Sequence, residues 1–134
     1  MNHFIKLCIL FAMLISNNTL LSQEISPYIK VGDLDSNIEM TESKVITALK
    51  SNGFDIIGQY AVAQDKNLKV IVFSRKDLQT ISLQVKDRGA LASALKVGLK
   101  SDCSKTIVSY LNPEYLFQAY LMDAYDKHKD GLVK

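Results

Sequence analysis

The chain has 134 residues, with 16 basic and 14 acidic side chains and a formal net charge of +2 at pH 7. That balance leaves no electrostatic footprint for nucleic acid, and the length suits one domain with a buried core. Two cysteines and two histidines are sparse material for a disulfide framework or a metal centre.

The first residues read as a leader. "MNHFIK" carries Lys6, and the uncharged run Leu7–Ile15 follows, then the polar "SNNTLLSQE". This is the charged, apolar and cleavage-zone order of a signal peptide, and the apolar run is far short of the roughly 20 residues a spanning helix needs. Residues 1–22 are expected to be removed near Ser22–Gln23, with an uncleaved anchor as the alternative. Residues 23–134 then form the domain. Cys103 is its one cysteine, so it can form no internal disulfide and must be held by packing. Charge is segregated within it. Residues 23–65 hold seven acids and three lysines, and residues 75–105 hold seven bases and three acids. The two halves either attract each other across a solvated surface or present a basic patch to an anion, a headgroup or a second subunit.

In chain order, Tyr28–Val31 reads as a short first strand. "MTESKVITALKSNGF" reads as a helix. Thr41 is expected to cap it, with Met40 and Val45 at the positions of a hydrophobic staple. Gly53 suits a left-handed ending, with Phe54 folding back on Leu49. "FDIIGQYAV" and "NLKVIVFS" predict a hairpin around a polar turn at Gln64–Asn67. "KDLQTISLQVKDRG" fits a helix or a strand and is assigned to helix, with Asp77 near its start and Gly89 beyond its end. "LKVGLK" and "TIVSY" predict a second hairpin across a five-residue "SDCSK" loop. In "SYLNPEYLFQAYL", Asn112 suits an N-cap and Pro113 the first helical position, while Glu114 complements the dipole. That helix is expected to run to about Lys129. Leu116, Ala119 and Tyr120 make one apolar stripe, and Phe117, Leu121, Ala124 and Tyr125 another. The order β-α-β-β-α-β-β-α predicts a two-layer α+β sandwich, a mainly antiparallel sheet with helices on one face. A mixed sheet with helices on both faces is the alternative.

With these elements in place, the chain resembles domain-of-unknown-function family 302 from about Val31 to Tyr125. The resemblance rests on "ALKSNGFDII", on "VIVF" before a helix, on "LKVGL" with its loop, and above all on "VSYLNPEYL". It implies a compact α+β domain, often exported in bacteria, with no assigned activity and no agreed catalytic residues. The chain departs from the family pattern at Ser74-Arg75-Lys76 and at Leu95-Lys96. It also stops at "KHKDGLVK", where family members tend to continue.

The catalytic motifs that spacing reveals are absent from the sequence: no glycine-rich phosphate loop, nucleophile elbow or paired-histidine zinc motif. His128 reads as a partner for a helix C-terminus. Asp33, Asp35 and Glu39 make an acidic turn whose spacing misses the calcium-loop pattern. Strand alternation directs Phe54, Ile56, Val70, Val72, Leu95, Val97 and Leu99 toward the helices. It leaves an apolar centre of Ile57, Ile71 and Phe73 on the other face, rimmed by Lys96 and Lys100. Monomers seldom leave such a patch unused. The expectation is a non-enzymatic domain, periplasmic or secreted, with no metal and no cofactor. Its open face binds a partner, a second copy of itself in a homodimer, or a small amphiphilic or anionic ligand; membrane contact is at most peripheral. The alternative is a thiol-dependent redox or detoxification enzyme using Cys103.

Overall fold

The computed structural model describes residues 25–132. The predicted leader lies outside the described residues. Among the described residues five strands form one sheet: β1 (Tyr28–Leu34), β2 (Asp55–Ala61), β3 (Leu68–Ser74), β4 (Leu95–Asp102) and β5 (Lys105–Leu111). Their order across the sheet is β1-β5-β4-β3-β2, and every neighbouring pair is antiparallel. Four helices complete the α+β fold: α1 (Ile38–Ser51), α2 (Lys76–Gln84), α3 (Pro113–Leu121) and α4 (Asp123–Leu132). The expected two-layer architecture is therefore present, with an all-antiparallel rather than a mixed sheet.

Helix α1 lies over β2 to β5. It starts three residues before the expected cap, because Asn37 accepts a bond from the Met40 N–H at 2.8 Å and satisfies an early donor. Thr41 is buried inside the first turn, its hydroxyl 2.7 Å from that of Ser36. The C-terminal ending follows the sequence. Gly53 takes φ +79°, the Gly53 N–H donates to Lys50 O and the Phe54 N–H donates to Leu49 O, both at 3.1 Å. These are the two bonds of a Schellman ending, which tie off otherwise orphan carbonyls.

The second hairpin is tighter than expected. Asp102 and Lys105 pair directly, so only Cys103 and Ser104 turn the chain, with Cys103 at φ 54°. The final helix is broken. Asn112 and Pro113 start it as predicted, but Met122 takes φ 49° and ψ −125° and splits it into α3 and α4. The break redirects α4 so that Tyr125 and Leu132 join the cluster formed by Leu116, Phe117 and Leu121. Phe117, at 0% exposure, is central to it, while Ala119 is exposed. Helices α2 and α3 both pack against the 3₁₀ turn Gly89–Ser93.

The largest correction concerns the face that β3 presents. Ile71 is 0% and Phe73 7% exposed. They stand opposite Val97 and Leu95 of β4, so they point into the helix layer. Direct cross-strand partners share a face, and β4 holds the core phase expected of it. Val70 and Val72, expected inside, take the open face instead. Ile57 is 57% exposed and sits in a bulge between Ile56 and Gly58, where simple alternation fails.

Candidate functional site

The open face is built row by row from the pairing register. Tyr60, Val70, Gly98, Ser109 and Lys30 are successive partners across all five strands. On one side of that row lie Gly58, Val72 and Lys96; on the other lie Leu68, Lys100, Ile107 and Asp33. The middle row dips because Gly98 has no side chain and Ser109 a short one. A Cβ placed on Gly98 would meet nothing closer than the Ser109 carbonyl oxygen at 3.9 Å, so a larger residue there would fill open space.

Two shallow hollows result. One, of about 300 Å³, lies among Leu68, Val70, Gly98, Lys100 and Ile107. The other, of about 230 Å³, lies among Tyr60, Val70, Lys96, Gly98 and Leu111. Val70, Gly98 and Ser109 border both, so the hollows form one apolar trough. Lys96 and Lys100 stand at its two sides, four residues apart on one strand, about 13 Å at strand rise. Both are exposed, and neither has an ion-pair partner among the described residues. Of the expected site residues, the structure thus places Lys96 and Lys100 at the two sides of one trough. It sends Ile71 and Phe73 to the core and leaves Ile57 on the β2 edge. The residues that sequence reasoning missed are Val70, Val72, Leu68, Tyr60, Ile107 and Leu111.

A larger groove, about 400 Å³, runs beside α1, between Val45, Ala48 and Leu49 of the helix and Val31, Val97 and Val108 of the sheet. Arg75 closes one end, but its charge is committed. Its Nε donates to Asp77 Oδ1 at 2.7 Å, its Nη2 donates to Gly131 O at 3.0 Å, and its guanidinium lies 5.4 Å from the centre of the Phe54 ring. That ring meets Phe73 edge-on at 5.2 Å. Arg75 therefore clamps the end of β3 to α2 and α4. The guanidinium holds the Asp77 carboxyl below its ordinary range. Lys69 is likewise engaged, donating to Glu42 at 2.6 Å across the helix layer, and this bond raises its pKa above the ordinary value. Among the described residues, the sheet cations without an ion-pair partner are Lys96 and Lys100 of the open face.

Other expected residues stay apart from this trough. Cys103 is exposed at the β4–β5 turn and borders neither the trough nor the α1 groove. Asp33 pairs with Lys30 at 2.7 Å, and Asp35 approaches Lys105 at 3.4 Å. Among the described residues no cluster of His, Cys, Asp and Glu is arranged to hold a metal ion. No described helix is long and apolar enough to cross a membrane.

A solved structure described as the "uncharacterized conserved protein DUF302 from Bacillus stearothermophilus" matches this one with a TM-score of 0.58. The match covers 78% of this chain and 92% of that chain, at 16% sequence identity. The fold is DUF302-like. At that identity the likeness is one of fold, in agreement with the family that the sequence motifs resembled. No family model matches the chain, and no curated protein does.

Proposed function

We propose that this DUF302-like chain is an exported domain that acts by binding rather than by catalysis, and that its open sheet face takes an amphiphilic anion of the fatty-acid class. The observation that supports this reading is the apolar trough over Gly98 with two unpaired lysines at its sides. An alkyl chain lying on Val70, Leu68 and Ile107 removes apolar surface from water, at roughly 25 cal/mol per Å². A carboxylate at Lys96 or Lys100 gains a charge-assisted hydrogen bond. A second copy docked on the same face would instead bring four unpaired ammonium groups together, which argues for an anionic occupant over face-to-face pairing. The export reading rests on the leader at residues 1–22. Recovery of a released chain whose mass begins near Gln23 tests it.

The binding test is native mass spectrometry with palmitate, on wild type and on the double variant Lys96→Glu, Lys100→Glu. Wild type is expected to retain palmitate. The double variant should bind at least about tenfold more weakly, since hydrogen bonds to charged groups contribute about 1.5–3 kcal/mol each. Val70→Asp should abolish uptake by placing a carboxylate in the trough, with circular dichroism reporting whether the fold survives. Failure of wild type to take up palmitate, or equal uptake by the double variant, overturns the reading.

A further inference from the structure

The sheet has two edges, and they are finished differently. Edge strand β2 lies beneath α1. Edge strand β1 lies beyond the helix that covers β2 to β5, and it exposes Tyr28 (66%), Val31 (67%) and Leu34 (42%). Val31 also floors the groove beside α1, so the helix layer is incomplete on the β1 side. An uncovered edge strand presents a row of unpaired backbone donors and acceptors.

The backbone of β1 specifies how that row can be met. The Asn112 N–H donates to Pro27 O at 2.9 Å, which sets the phase of the β1–β5 ladder. Alternation then turns the backbone groups of Tyr28 and Lys30 toward the free edge, where the Tyr28 carbonyl already accepts from the Ser26 hydroxyl at 2.8 Å. The register shifts between Lys30 and Gly32, and beyond this bulge the residue facing outward is Asp33. Without the bulge, outward residues would all be an even number of positions apart. With it, Lys30 and Asp33 both face out, three positions apart and oppositely charged.

We propose that the β1 strands of two copies of this chain pair with each other in antiparallel sense, placing Lys30 of each copy opposite Asp33 of the other and continuing the sheet through a two-fold axis. In this register Ile29 meets Leu34, Tyr28 meets Asp35, and Val31 of each copy meets Gly32 of the other beside the axis. No like charges meet. Shifting the register to centre on Lys30 or on Asp33 sets like charges face to face, which disfavours those pairings. Within one copy Lys30 and Asp33 already bond at 2.7 Å, so on association the two pairs exchange partners. The charges select the register, and the exposed Val31 and Leu34, brought against the second copy, supply the apolar contact. Edge β2 offers no such match: Asp55 is the one charge in its sequence "DIIGQYA". Pairing is isologous and closes on itself, so it yields a dimer and leaves both troughs open on one continuous face.

The experiment is sedimentation velocity on the full chain as the cell processes it, for wild type, for Lys30→Glu, for Asp33→Lys, and for the two variants mixed. Wild type is expected to be a dimer. Each variant alone carries like charges along its edge and should sediment as a monomer. The mixture should recover dimer, as the one-to-one heterodimer, because the two substituted side chains then meet with opposite charge, and so do the two native ones; recovery also demonstrates that both variants are folded. Amide hydrogen exchange at Lys30 and Asp33 should slow on dimerisation. A wild type that stays monomeric, variants that dimerise alone, or a mixture that does not recover dimer each overturns the proposal. A dimer lost in Val70→Asp but intact in the charge variants would place the contact on the open face and also overturn it. Palmitate uptake is read separately, so the binding reading stands or falls on its own result.

Discussion

Asn112 offers the sharpest test of how the fold is held, because one side chain serves two elements. It is 8% exposed. Its Oδ1 accepts from the Glu114 N–H at 3.1 Å, capping α3, and its Nδ2 donates to the Ser26 carbonyl at 2.9 Å. The second bond ties the chain entering β1 to the start of the helix. Asn112→Ala removes both. Loss of the cap costs about 1 kcal/mol, and loss of the other bond, leaving a part-buried carbonyl unpaired, about 1 kcal/mol more. The sum, about 2 kcal/mol, corresponds to a fall in Tm of about 8–15 °C for a domain near 100 residues. Asn112→Ser keeps a capping oxygen and is too short to reach Ser26, so it should lose about half as much. Urea melts with unchanged slope measure both. If serine is as costly as alanine, the cap contributes nothing. If alanine stays within about 0.5 kcal/mol of wild type, both bonds have been misjudged.

Ile71→Ala should cost about 2–5 kcal/mol, as expected for a fully buried aliphatic side chain, whereas Val70→Ala on the open face should cost under about 1 kcal/mol; the reverse order in urea melts would mean the β3 face is misassigned. Lys69 has its pKa raised above 10.5, first by its hydrogen bond to Glu42. A raised folded pKa gives stability that is complete below the unfolded value and disappears as pH climbs through the folded one. The stability difference between wild type and Glu42→Gln should therefore hold across neutral and mildly alkaline pH and shrink only above about 10.5, and a difference that shrinks between pH 7 and 9 would contradict this. Ser82 is fully buried with an unpartnered Oγ, so Ser82→Ala should be neutral or stabilising by up to about 1 kcal/mol; a loss beyond about 0.5 kcal/mol would show that the hydroxyl has a partner.

The parts of the fold that sequence reading recovers are those determined by neighbours in the chain. Asn112-Pro113-Glu114 and Gly53-Phe54 specify helix ends through bonds that span a few residues, and both ends form as expected. Strand β4 alternates apolar and polar residues, so its core side, Leu95, Val97 and Leu99, is unambiguous. Where reading fails, the deciding contacts come from elsewhere. Asn37 outcompetes Thr41 as cap because Thr41 is drawn into the buried contact with Ser36, whose carbonyl also accepts from the Thr106 hydroxyl at 2.8 Å. The helix break at Met122 carries no proline or glycine. A non-glycine residue at positive φ is uncommon, and here it serves the packing of Tyr125 and Leu132, which local pattern does not reveal.

The misread phase of β3 has a physical cause that bears on function. Val70, Ile71, Val72 and Phe73 are all apolar, so alternation within the strand cannot say which pair is inside. Lys69 misleads as well, since a lysine on the helix side looks wrong until Glu42 is known to meet it. The phase is fixed by partners on another strand, Val97 and Leu95. Yet the ambiguity carries information of its own. A strand apolar on both sides belongs where both faces are covered, and helix α1 covers only one face of this strand. Whichever pair turned inward, the other had to remain outside as apolar surface beside Lys96 and Lys100. An unusual open face is thus legible in "VIVF" even though its members are exchanged, and Val70, turned outward by that exchange, becomes an apolar wall of the trough over Gly98.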